Sequence, residues 1–371
     1  MRVLFLDLKQ QYDSIRSEIA EAIDRVLNST QFILGPEVTA FEEAFAHAQH
    51  TRHCIATNNG TSALHLALWA VGIKRGDEVI VPVNTFIATA EAVLLAGARP
   101  IFADHDECFV LNGEELERRM TRRTRAAVPV HLYGQIADMR SIAPFVERYG
   151  LTLIEDAAQA HLASLDEKLA GAWGVAAGFS FYPGKNLGAY GEAGAVVTTD
   201  STLAETMRKL RDHGSEQKYR HIIAGHNYRM EALQAAVLRI KLQYLEAWTQ
   251  ARERHAKKYC ELLQDVAEIK LPSVRDGARH VYHLFVIEAD RRDSLRNFLE
   301  QREISTGLHY PIPLHLQPCF AELGYKEGAF PRAERSAKRI LSLPMFPELK
   351  DDQIEYTAGA IREFYGGGGG A

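Results

Sequence analysis

Cysteine is scarce in this chain, with four among 371 residues. Cys54, Cys108, Cys260 and Cys319 stand far apart and form no CxxC pair. That spacing excludes the usual zinc and iron–sulfur signatures and leads us to expect a cytoplasmic protein with reduced thiols and no metal. Long apolar runs are also lacking, and none approaches the roughly 20 residues of a membrane span. The opening MRVLFLDLKQQ is broken at once by Asp7 and Lys9, so it lacks the apolar length of a secretion signal. Nor does one sign of charge dominate. Lys and Arg number 43 and Asp and Glu 48, a formal net charge of −5 without a basic run. Neither a nucleic-acid groove nor an anionic membrane surface is expected.

What is present is an ordinary globular composition, 46% hydrophobic and 25% charged. Between about residues 55 and 200, short β-rich runs alternate with helical patterns. Strands are predicted at Glu78–Pro82, Pro100–Asp104, Ala126–Tyr133, Leu151–Glu155, Gly178–Tyr182 and Ala195–Thr199. Helices are predicted at Ser62–Val71, Ala88–Leu95, Ser141–Tyr149 and Leu203–Leu210. Strands such as VIVPV are apolar throughout, as a mostly parallel sheet covered on both faces requires. From Met230 to Leu263 the pattern reads as one long connector helix. A smaller C-terminal α+β domain is expected after it. We expect a large domain over 1–248, a small one over 249–365, and a flexible glycine-rich tail at 366–371.

Three stretches carry candidate chemistry. Asn59-Gly60-Thr61-Ser62 lies between a strand-like HCIAT and a helix, where free N–H groups and hydroxyls suit a phosphate; a plain N-cap by Ser or Thr explains it equally well. The strand LTLIED ends in two carboxylates, Glu155 and Asp156. Side chains alternate, so one of the pair faces the crevice at the strand ends, unless Asp156 merely caps a helix. In Phe179-Ser180-Phe181-Tyr182-Pro183-Gly184-Lys185-Asn186, a lysine follows a strand in a Pro-Gly turn. Five residues separate Gly178 from Gly184, and Asn follows the lysine, so this is not a phosphate-binding P-loop. Blander readings suffice for His280, His283, Trp69, Cys54 and Cys108, which are expected to pack.

The order of these motifs, together with Asn84-Thr85-Phe86 and Gly225-His226-Asn227-Tyr228-Arg229-Met230, resembles the DegT/DnrJ/EryC1/StrS family of nucleotide-sugar aminotransferases. The resemblance runs from FLDLKQQY to SLPMFPEL, nearly the whole chain. It implies an aspartate-aminotransferase-like α/β fold (fold type I) that uses pyridoxal phosphate. By that resemblance Lys185 is the Schiff-base lysine and proton shuttle. Asp156 pairs with the pyridine nitrogen, Gln159 with the phenolic oxygen, and Phe86 stacks on the ring. Thr61, Ser62 and Ser180 hold the phosphate, with Asn227 reaching it from the second subunit of a homodimer. His309, Tyr310 and Arg229 are implied on the substrate side. The implied reaction moves an amino group from glutamate to a nucleotide-linked keto sugar, a dTDP-3-keto-6-deoxyhexose or else a 4-keto hexose on UDP, GDP or dTDP. A sugar dehydratase of this family carries histidine in place of the lysine, and a regulatory relative needs no such lysine; Lys185 argues against both. A lysine that makes an imine must be partly neutral, and a site holding the pyridinium and other cationic groups is expected to lower its pKa.

Overall fold

The computed structural model describes residues 1–366, so all of the expected tail but Gly366 lies outside the described residues. Seven strands build the main sheet: β1 (His53–Thr57), β2 (Glu78–Pro82), β3 (Arg99–Ala103), β4 (Thr124–Ala127), β5 (Thr152–Asp156), β6 (Ala176–Ser180) and β7 (Gly194–Thr198). Their order is β1-β7-β6-β5-β4-β2-β3. From β3 to β6 every neighbouring pair is parallel. Only β7 runs against its neighbours, β6 and β1.

Side-chain alternation explains why these strands are apolar throughout. Cys54, Ala56, Ile80, Leu153, Ala177, Phe179 and Val197 enter one buried cluster. The residues between them, Ile55, Val79, Val81, Ile154, Ala176 and Val196, enter another. Each strand therefore feeds two cores, one per sheet face, and a polar residue on either side would be buried.

A third core lies under a small antiparallel sheet of β8 (Ile269–Lys270), β9 (Phe285–Ala289) and β10 (Ile340–Leu343). Helices Leu245–Leu263, Arg292–Gln301 and Asp351–Gly366 cover it. Val3 is buried in this same core, and its N–H donates to Glu303 at 2.9 Å. The start of the chain, expected with the large domain, thus packs against the C-terminal part. The reverse also occurs: Leu314, Phe320 and Phe330 return to the large-sheet core, with Leu314 N–H donating to Val83 at 2.9 Å.

The predicted strands and helices of the large sheet fall within a few residues of their observed limits, apart from Ala126–Tyr133. There the strand ends at Ala127, and Leu132–Gly134 form a turn of 3-10 helix. The expected connector helix is also two helices, Ala232–Leu242 and Leu245–Leu263, broken at Gln243–Tyr244. The first packs on the N-terminal helices Arg16–Ser29 and Pro36–Ala48, the second on Asp351–Gly366. A single straight helix cannot face both targets, and the apolar stripe changes direction at the break.

The core beneath the site is dense in aromatics. Phe45 is fully buried, with the rings of Phe179 at 5.1 Å and Phe181 at 5.0 Å, both edge-on. Replacing Phe45 with Ala should cost about 3–5 kcal/mol of stability. A drop in the urea unfolding midpoint without a change in slope is the expected readout.

Candidate active site

The carboxyl ends of β1, β5 and β6 open on one crevice, where open α/β sheets place ligands. β1 leads through Asn58–Asn59 into helix Gly60–Ala70. Asn59 caps that helix, its side chain accepting from Ser62 N–H at 2.8 Å. The cap is therefore Asn59 and not a Ser or Thr, which leaves the Thr61 and Ser62 hydroxyls out of that role. The first N–H groups of a helix have no partner within it. A Cβ on Gly60 would lie 2.8 Å from the Ser180 Cβ, so the helix start and the end of β6 touch. Only glycine permits this approach, and it sets Ser180 beside the start of that helix, a place where free N–H groups suit an anion.

Alternation divides the two carboxylates of β5 as expected. Glu155 is fully buried on one face, and it accepts from the N–H groups of Gly171 (2.8 Å), Trp173 (2.8 Å) and Gly174 (2.7 Å). His131 Nε2 donates to it at 2.8 Å, because His131 Nδ1 already accepts from Ala137 N–H. With four donors, Glu155 is a structural anchor. Asp156 turns to the crevice. Thr89 Oγ1 donates to its Oδ2 at 2.7 Å and Ala158 N–H to its Oδ1 at 3.1 Å. No helix follows Asp156, so the capping alternative is not realised. Burial raises the Asp156 pKa, opposed by these two hydrogen bonds and by the charge of Lys185.

Lys185 sits in a turn closed by its N–H donating to Tyr182 at 2.8 Å. Its pKa is lowered to about 8, and the cause is burial, with Asp156 acting the other way. Loss of hydration thus weakens the ammonium before any cofactor adds its charge.

Gln159 is held at both ends of its amide. Tyr133 N–H donates to its Oε1 at 2.7 Å, and its Nε2 lies 3.3 Å from the Tyr310 hydroxyl. Phe86 is 53% exposed, with its ring 5.6 Å from that of Tyr310, so one face is open. His309 lies behind Tyr310. Its Nδ1 meets Ser342 Oγ at 2.8 Å, its carbonyl accepts from the Tyr133 hydroxyl, and burial lowers it to about 4.

Asn227 and Arg229 lie on a segment that pairs with the end of β1, where Asn58 N–H donates to the Tyr228 carbonyl at 3.0 Å and Thr57 bridges to Arg229. Arg229 Nη1 pairs with Asp212 at 2.8 Å, and Arg229 Nε donates to Asn227 Oδ1 at 3.1 Å. Arg229, expected on the substrate side, is therefore engaged within the chain. The engagement orients the Asn227 amide, leaving its Nδ2 as an unused donor among the described residues. Residues missed in the sequence include Tyr133, Thr89 and His131. Tyr133 has φ +62 and precedes Gly134 at φ +105, so the Tyr-Gly of VHLYGQ was the available cue.

The sequence profile of the DegT/DnrJ/EryC1/StrS aminotransferase family matches residues 13–362. The chain belongs to this family. It is 46% identical over 364 residues to the dTDP-3-amino-3,4,6-trideoxy-alpha-D-glucose transaminase of Streptomyces venezuelae, covering 98% of this chain and 96% of that one. It is 47% identical to a protein of Geobacillus stearothermophilus named pleiotropic regulatory protein, covering 98% and 99%. Among solved structures, S. venezuelae DesV in complex with a ketimine intermediate superposes with a TM-score of 0.96 at 46% identity, covering 98% of each chain. The expected aminotransferase fold, mostly parallel in its large sheet, is borne out.

The two carboxylates of β5 should separate on mutation. Glu155→Ala strips a buried charge network and should destabilise the fold by about 3–5 kcal/mol. Asp156→Asn should leave the unfolding midpoint within about 1 kcal/mol, as a near-isosteric change, while removing most turnover. Thermal unfolding and activity measured on the same two proteins check this.

Proposed function

We propose that this aminotransferase carries pyridoxal phosphate on Lys185 and moves an amino group from glutamate to a nucleotide-linked keto sugar, with the keto group at C3. The observation that carries the reading is the buried amine of Lys185, its pKa lowered to about 8 so that part of it is neutral, enclosed with the Asp156 carboxylate.

The residues fit that cofactor one group at a time. Thr61, Ser62, Ser180 and the helix start would hold its phosphate. Asp156 would hold the protonated pyridine nitrogen, and the Gln159 Nε2 would donate to the phenolic oxygen. Phe86, with one face open, would stack on the ring. When bound, the cofactor supplies an aldehyde that condenses with amines and an electron sink for the carbon that loses a proton. The protein's own part is positioning and proton custody. Lys185 Nζ, with a pKa close to the working pH, both accepts and returns a proton. Thr89 and Ala158 oppose the effect of burial and favour the carboxylate of Asp156. Tyr133 fixes Gln159, and Tyr310 walls the side where the acceptor would enter.

Two features support a homodimer with shared sites. Phe86, Tyr182, Ile222 and Ile223 are exposed apolar side chains around the crevice and the Asn227 segment. Among the described residues the Asn227 Nδ2 makes no hydrogen bond, and it would meet the phosphate in a second copy. The 3-keto preference is supported by relatives: the S. venezuelae enzyme above, and a UDP-N-acetyl-3-dehydro-alpha-D-glucosamine 3-aminotransferase of Acidithiobacillus ferrooxidans, 43% identical over 358 residues. A purely regulatory role is suggested by the name of the Geobacillus relative, but such a role requires no buried lysine.

Incubation with glutamate and dTDP-linked 3-keto and 4-keto hexoses, read by mass spectrometry, should yield the 3-amino product. Free keto sugars should react at least 10²-fold less efficiently, since they lack the remote binding energy of the nucleotide. Preference for a simple α-keto acid as acceptor would overturn the sugar assignment.

Lys185→Ala should abolish turnover, and so should Asn227→Asp, which sets a negative charge where the Asn227 donor would meet the phosphate. Mixing the two inactive proteins under subunit exchange should restore about a quarter of wild-type activity, because half the dimers then contain one intact site. Exchange without recovery would sink the shared site.

A further inference from the structure

Lys241 is a buried lysine with no part in the assignments above. It is 1% exposed, on the helix Ala232–Leu242, whose other buried residues are alanine, valine and leucine. An ammonium in such surroundings costs stability unless it is bonded. Its contacts lead to one stretch of chain. Nζ donates to the Gly188 carbonyl at 2.7 Å and lies over the Tyr190 ring, 4.4 Å from its centre.

That stretch completes the turn that carries Lys185. The turn closes on itself, with Lys185 N–H donating to Tyr182 and Ala189 N–H to Phe181, each at 2.8 Å. A Cβ on Gly188 would lie 2.3 Å from the Pro183 carbonyl oxygen, so glycine alone lets the two limbs meet. Gly188 is buried, and its carbonyl receives no backbone N–H among the described residues. A buried carbonyl needs a partner. Lys241 supplies the donor.

The same helix grips this stretch a second time, where Gln234 Oε1 accepts from Tyr190 N–H at 3.0 Å. Residues 234 and 241 are two helical turns apart and share a face. On the near side of the turn, Asn186 Nδ2 donates to the Val281 carbonyl at 3.0 Å, and Leu187 is buried in the core. The limb after Lys185 is therefore tethered at 186 to the segment before β9 and at 188 to Lys241. Methionine would fill the space of the Lys241 side chain and spare the fold a buried charge. What lysine adds there is the tether.

We propose that Lys241 is a positioning residue for Lys185: by donating to the Gly188 carbonyl it holds the turn from which Lys185 projects, and so keeps that amine in the crevice. The inference rests on the role given to Lys185 above. Lys241 acts through the backbone and touches no reacting atom.

Lys241→Met keeps the apolar stem and removes the donor. It should lower kcat on the order of 10²-fold, the cost of a misplaced reacting group, with the acceptor KM little changed. Lys241→Gln, one bond shorter and uncharged, should act in the same direction and serves if the Met variant does not fold. The control is Val237→Ala. Val237 packs into the separate cluster of Ile15 and Ile19, so its loss loosens the same helix from the other side. Its kcat should stay near that of wild type. A second readout needs no cofactor: the pH dependence of Lys185 acylation in the cofactor-free protein, followed by peptide mass spectrometry. Wild type should show a midpoint near 8. A loosened turn lets water reach the amine, and hydration favours the ammonium, so the Met variant should titrate about one pH unit higher. Val237→Ala should keep the wild-type midpoint. Unchanged kcat and midpoint in the Lys241 variants, or equal changes in Val237→Ala, would overturn the proposal. A wild-type protein with neither transaminase activity nor lysine-bound cofactor would instead overturn the preceding functional reading, while the acylation midpoints would still report on the turn.

Discussion

Loss of water around Lys185 and Asp156 is the constraint on which the rest of the site depends. Burial alone lowers the lysine and raises the aspartate, so each charge is carried at neutral pH at some cost to stability. The fold offsets that cost unevenly. Asp156 receives two hydrogen bonds and the field of Lys185, which favour its charged form. Lys185 receives only the opposing charge, and its amine settles near 8. An amine that is part neutral near neutral pH is what imine chemistry needs. Stabilising it further would take that property away.

Three close backbone approaches bring the parts together. Gly60 lets the first helix touch the end of β6, which sets Ser180 beside the helix start. Gly194 lets β7 pass within contact of Asn59, where a Cβ would lie 2.4 Å from that backbone. Gly134 lets the small-domain segment 281–284 rest on the turn that also orients Gln159. Each contact joins chain segments distant in sequence. The surroundings of Lys185 thus draw on the large sheet and on the segment before β9, where Asn186 Nδ2 donates to the Val281 carbonyl at 3.0 Å.

Glu155 and Asp156 make the division of labour visible at one strand end. One residue is saturated with donors and holds the segment Gly171–Gly174 to β5. The next has spare acceptor capacity facing the crevice. Arg229 and Asn227 repeat the pattern, with one charged residue consumed in orienting a neutral one. In both pairs the functional group is the one left with something to offer a ligand.

The sequence by itself determined the sheet strands and their helices, because two-sided burial writes itself into the composition of each strand. It also determined the motif order around Gly60, Asp156, Gln159 and Lys185, since those residues lie at strand ends where local pattern and chemistry coincide. It misread the connector as one helix, because periodicity does not register that the two halves dock on different partners. It missed Tyr133, Thr89 and His131, and it did not foresee that Arg229 pairs with Asp212. Those features depend on which distant groups meet and on how much water they lose. Hydrogen-bond pairing and desolvation are properties of three-dimensional neighbourhoods, and only the tertiary structure decided them.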